Sequence, residues 1–241
     1  MSRLRSVLCA IVLPLAASLG ACGGSGGGSS LAPGPSTYDI AAGVSGLVTH
    51  GMQANLTASG TVIINGVSLP LTGTGTLSLA PGAAGTFNGT TVQSQAESIS
   101  LTIAAGGQSA STSSTVSDHY DPATFALLGE TSTGEYDVAS TPIAFPTMVM
   151  SGSSGTLGTL SRYTDSTQGV SKGTAQISYL VKAPVDASAP AVVEFTNKVY
   201  DTHGALQETE VRDYSLTTGN VMLLVSSTVQ DVNGTLTVTV K

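Results

Sequence analysis

The sequence predicts an all-β domain, and three observations carry that prediction. Apolar residues recur at period two, as in Ile99, Leu101 and Ile103, in Ile177, Tyr179 and Val181, and in Leu236, Val238 and Val240 set against Thr235, Thr237 and Thr239. Such alternation turns one face of a strand to a core and the other to water. Asn-Gly steps at Asn65-Gly66 and Asn233-Gly234 join runs of this kind, and a two-residue hairpin favours that pair because it needs positive φ. No window carries a long apolar stripe at helical spacing. Short strands with a turn about every 8–12 residues point to an antiparallel meander, a sandwich or a curved barrel-like sheet.

Taken in order, the chain opens with Arg3 and Arg5, an apolar run from Val7 to Leu13, Pro14, and small residues up to Ala21. The run is too short to span a bilayer, and its basic start and small-residue end read as a signal helix over residues 1–21. Residues 22–37 hold the tract Gly23-Gly24-Ser25-Gly26-Gly27-Gly28-Ser29-Ser30, which cannot bury a core and is expected to be a disordered tether. The domain then spans residues 38–241. Within it, Val62–Leu71 reads as two strands joined by Asn65-Gly66, with Pro70 at an edge because it has no N–H to donate. The segments Val192–Val199 and Val221–Val225 read as more buried runs, and the last hairpin turns at Asn233-Gly234.

One pattern occurs twice. A strand ends in Tyr120-Asp121, a turn leads to Ala126-Leu127, and Glu130-Thr131 and Tyr136 follow; later come Tyr200-Asp201, Ala205-Leu206, Glu208-Thr209 and Tyr214. The pattern describes a hairpin with a loop of several residues, and it suggests two similar halves with a seam near residues 141–146.

Leu19-Gly20-Ala21-Cys22 resembles the lipobox of bacterial lipoproteins. The resemblance implies cleavage before Cys22 and acylation of that residue, giving a membrane partner through the acyl chains. Anchoring scales at about 0.8 kcal/mol per buried CH₂, so stable attachment takes more than one chain. Gly rather than Asp follows the cysteine. By analogy with Gram-negative sorting this favours the outer membrane, with the periplasmic or surface side left open.

Charge excludes one class of partner. Loss of Arg3 and Arg5 with the leader leaves six basic against 15 acidic side chains, a formal charge of −9, and every remaining Lys or Arg lies at or beyond Arg162. A nucleic-acid binder needs the opposite sign along its groove. The two cysteines are Cys9, in the leader, and Cys22, so no disulfide or thiolate chemistry is expected of the domain.

Asp118-His119-Tyr120-Asp121 is the densest group of ligand-capable side chains. His119 with Asp121 can begin a metal or ion site, with Asp201 and His203 as its counterpart. A real site needs three or four converging ligands, and Asp at the start of a turn more commonly caps its own backbone. No Gly-x-Ser-x-Gly elbow sits between a strand and a helix. The expectation is therefore a non-catalytic structural or interaction module of the envelope, without a cofactor and binding an envelope protein through sheet edges and loops. The second reading is a carrier of a lipid or other apolar ligand inside a curved sheet.

Overall fold

The computed structural model describes residues 37–241 apart from Asn65 and residues 186–188. Cys22, the expected signal helix over residues 1–21 and all of the expected tether over 22–37 but Thr37 fall outside the described residues. The chain begins with β1 (Thr37–Tyr38) and α1 (Ile40–His50), then β2 (Met52–Ile64), β3 (Val67–Leu79), β4 (Ala83–Phe87), β5 (Thr90–Ala105) and β6 (Gln108–Tyr120). It continues with β7 (Leu127–Ser132), β8 (Glu135–Ile143), β9 (Val149–Met150), β10 (Ser154–Tyr163) and β11 (Ser171–Lys182). The last strands are β12 (Ala191–Tyr200), β13 (Leu206–Leu216), β14 (Met222–Asp231) and β15 (Gly234–Val240).

Twelve of these strands close an antiparallel barrel. The expected all-β class holds, and of the architectures considered it is the barrel. Each strand pairs with its neighbour in the chain, and the ring shuts where β15 lies against β2, Gly234 opposite Val62 and Val240 opposite Leu56. This is an up-and-down meander. Tight hairpins gather at one mouth. The β10–β11 and β12–β13 loops share that mouth, while α1, the β1–β9 pair and the remaining connections gather at the other. β4 extends β3 beyond the ring and pairs with the start of β5, from Ala83 opposite Ser94 to Phe87 opposite Thr90.

An eight-stranded barrel is about filled by its own side chains, and twelve strands enclose more space. Two devices fill it. At one mouth α1 buries Ile40, Val44 and Val48 against the strand ends. Gly43 lets it approach, since a Cβ there would lie 2.9 Å from Leu216 Cδ1. Across the middle, Arg212 of β13 reaches Glu97 of β5 through a two-pronged pair, Nη1–Oε2 2.9 Å and Nη2–Oε1 3.0 Å. Its Nε donates to Glu210 Oε1 at 2.6 Å, and Ser227 Oγ donates to the same oxygen at 3.1 Å. A second polar row runs along one wall, where Asp118, Glu130, Asp137 and Arg162 lie directly opposite one another on β6, β7, β8 and β10. Arg162 binds Asp137 Oδ2 at 3.1 Å and Glu135 Oε1 at 2.7 Å. Burial pushes the Asp137 carboxyl above its ordinary pKa despite that pair. Glu135 lies below its ordinary value, because Arg162 and Lys172 together outweigh burial.

The structure corrects three local expectations. Residues 40–50 form a helix, with Asp39 Oδ1 accepting from Ala42 N at 2.9 Å as its N-cap. The last hairpin turns at Val232-Asn233, because Asp231 Oδ1 caps Asn233 N and pairs its own residue with Gly234. Val221, Leu223 and Val225 point outward and are exposed rather than buried. Pro70 does lie on a locally open edge, since β3 pairs with β5 only from Leu71 onward and the missing N–H interrupts no ladder there.

Candidate functional site

The residues singled out from sequence do not converge. Asp118 points into the barrel and accepts from Tyr120 Oη at 3.3 Å. His119 faces outward under the β4 extension, stacked on Phe87 with ring centroids 4.3 Å apart. Its Nδ1 lies 2.9 Å from Ser94 Oγ and its Nε2 3.0 Å from Thr131 Oγ1. Burial lowers its pKa, outweighing the attraction of Asp118, which keeps the ring neutral at neutral pH. Asp121 caps the β6–β7 turn at the α1 mouth, accepting from Thr124 N at 2.8 Å and Ala123 N at 3.0 Å. Asp201 caps the β12–β13 turn at the opposite mouth, accepting from His203 N at 2.8 Å and Ala205 N at 2.9 Å, with His203 exposed beside it. Backbone N–H donation holds both aspartates below their ordinary pKa. The sequence echo is thus one Asp-capped turn used at both ends of the barrel. Among the described residues, no group of three or more His, Cys, Asp or Glu side chains is placed to hold a metal ion. Cys22 is outside the described residues.

The feature that stands apart is an open strand edge. β6 has 13 residues and β7 only six. β7 covers β6 from Val116 to Tyr120, so Gln108–Ser113 has a strand partner on the β5 side alone among the described residues. The hairpin that launches this stretch turns on Gly106 and Gly107, both at positive φ (56° and 79°). Both turn positions of a type I′ hairpin require this, so glycine fits each without strain. Ala105 and Gln108 flank the turn as a hydrogen-bonded pair. Strict alternation then turns the backbone groups of Ala110 and Thr112 toward β5, and those of Ser109, Ser111 and Ser113 toward the open side. The side chains agree: Thr102 and Ser111 form one of the closer pairs, hydroxyl to hydroxyl at 2.9 Å.

Proteins usually blunt such edges with charge, proline or a bulge. Three other one-sided stretches of this wall have such protections. β10 shifts register between Thr156 and Gly158, β14 is paired across a shift at Asp213/Tyr214, and the one-sided start of β3 contains Pro70. Gln108–Ser113 has neither charge nor proline, and its ladder with β5 runs without a shift.

The wall beside the edge is lined with hydroxyls. Thr239, Thr57, Thr74, Thr102 and Ser111 stand in one row across five strands, and Asn55, Thr76, Ser100 and Ser113 form the next. A membrane-spanning barrel would carry an apolar band on this face. Gly75 faces inward, and its strand approaches β5 so closely that a Cβ would fall 2.0 Å from the Ser100 carbonyl oxygen. Over it lies an open groove of about 720 Å³ whose lining includes Asn55, Thr74, Ser100, Thr102, Ser111 and, as its one charged residue, Lys241. Beneath α1, by contrast, the chamber, largely apolar but with Gln95, Asp118 and Arg212 in its lining, has only about 50 Å³, room for one or two waters.

Ser109, Ser111 and Ser113 were not legible as a site. The Gly106-Gly107 turn and the uncharged run after it are visible in sequence, but the unequal lengths of β6 and β7 that expose the edge are not. No protein-family model, curated protein or solved structure matches the chain.

Proposed function

We propose that the protein is a lipid-anchored envelope lipoprotein whose barrel is a non-catalytic interaction module, taking an extended strand of its partner onto the β6 edge. The observation that carries this reading is the edge Gln108–Ser113, a one-sided stretch without charge, proline or register shift. Strand addition draws its affinity from main-chain hydrogen bonds, which this edge offers at Ser109, Ser111 and Ser113. The position of the edge supports the same reading. Residue 37 enters at the α1 mouth, and the edge overhangs the hairpin mouth, so an anchor at Cys22 would hold the edge away from the membrane. Carriage of an apolar ligand is the weaker reading, because pockets for such ligands run to about 300–1,000 Å³ and the chamber would have to open by moving α1.

Ser111→Pro tests the reading. Proline removes the outward N–H at the centre of the edge and leaves the β5 ladder intact. Capture of envelope partners by the full chain should fall sharply with an unchanged melting temperature, and full capture by the variant would remove the proposal. Cys22→Ser should move the protein from the membrane to the soluble fraction; continued detergent partitioning of that variant would refute the anchor.

A further inference from the structure

We infer that the β6 edge accepts a second copy of this chain, paired antiparallel about a two-fold axis through Ser111. The inference rests on the reading of that edge as a strand acceptor and names its partner. Three features of the edge point to a copy of itself.

The first is self-complementarity. Around Ser111 the sequence runs Ser109-Ala110-Ser111-Thr112-Ser113. A two-fold axis there sets Ser109 opposite Ser113 of the partner copy and Ser111 opposite its own counterpart. Ala110 then meets Thr112. Every pair is small and none brings like charges together. The three serine pairs have their N–H and C=O groups facing the open side, so each exchanges two hydrogen bonds. A closed, isologous contact of this kind ends at the dimer instead of growing into a fibre.

The second is charge. The chain carries a formal charge of −7, so two copies repel over most approaches. Between Met52 and Ser117 the one ionisable side chain is Glu97, and it points inward, paired with Arg212. The part of the hydroxyl wall formed by β2, β3, β5 and Gln108–Ser113 therefore lets two copies meet without like charges opposed, Lys241 lying at the far side of the groove beside Asn55.

The third is incomplete cover. Ala110 and Thr112 are only half-buried on the inner side of β6, while Ile103 and Leu101, their partners on β5, are fully buried. A second β6 strand would lay its own Thr112 and Ala110 beside them and extend the sheet by one register.

The test uses native mass spectrometry of the full chain released from detergent over a concentration series. The wild type should show a monomer–dimer equilibrium. Ser111→Lys and Ser111→Glu, each alone, should weaken it by about tenfold or more, since like charges then face each other across the axis. An equimolar mixture of the two variants should restore a heterodimer, which only a contact centred on this residue predicts. A monomeric wild type, or a dimer that neither charged variant weakens, would overturn the inference. If the wild type is monomeric and Ser111→Pro still loses envelope partners, the edge reading stands and only the identity of its occupant falls. If Ser111→Pro alters neither, both fall.

Discussion

Arg212 sits between two buried carboxylates, Glu97 from the facing wall and Glu210 from its own strand. Burial alone would lower its pKa, but the two carboxylates outweigh that and hold it fully charged. Removing one partner of such a group strands the others in a medium that solvates them poorly. Arg212→Met should therefore cost about 3–5 kcal/mol in urea unfolding, and adding Glu97→Met and Glu210→Met should recover most of it. Two other carboxyls set opposite pH slopes. The pKa of Asp201 is depressed below 3.8, so its contribution is present above that value and is lost as pH falls through the folded pKa. Asp201→Asn should lower Tm at neutral pH and approach the wild type in acid. The pKa of Asp137 is raised above 3.8, so the folded chain holds its proton longer and stability declines as pH rises through that window. Asp137→Asn should flatten that decline when unfolding is followed from acid to neutral pH.

The elements differ in how far sequence announced them. Alternation at Ile99, Leu101 and Ile103 gave their inward face directly, since all three are buried. Hairpins were legible where the turn chemistry was local, as with Gly66 at φ 79° closing β2 and β3. The final turn was misplaced by one residue because the Asp231 cap is a side-chain effect that the Asn-Gly step conceals. α1 escaped notice for a different reason. Gly43, Gly46, Val44, Val48 and Thr49 are weak helix formers, and the helix persists through its cap and its burial at the mouth. Its glycine contact gives a prediction. Gly43→Val would drive a side chain into Leu216 and Met222, so it should destabilise the fold by about 1–3 kcal/mol while leaving the β signal in far-UV circular dichroism unchanged.

At the scale of the whole molecule, the charge asymmetry along the chain becomes a pairing rule. Glu97, Glu135 and Asp137, acidic residues of the segment before Arg162, meet cations at or beyond it, at Arg212, Arg162 and Lys172. Sequence showed the asymmetry but not its resolution, because only closure of the ring brings Glu97 and Arg212 into contact. The candidate edge was hidden for the same reason, being a mismatch between neighbours that exists only once they are paired. The closing ladder joins residues 56–62 to residues 234–240. A growing polypeptide cannot form it until its final strand has emerged, and contacts so distant in sequence form slowly. Without that ladder the antiparallel wall would end in two unpaired edges, at β2 and β15. On the proposed reading of the chain as an exported lipoprotein, β15 would cross the membrane after the other strands of the ring, so the barrel would shut only on the far side.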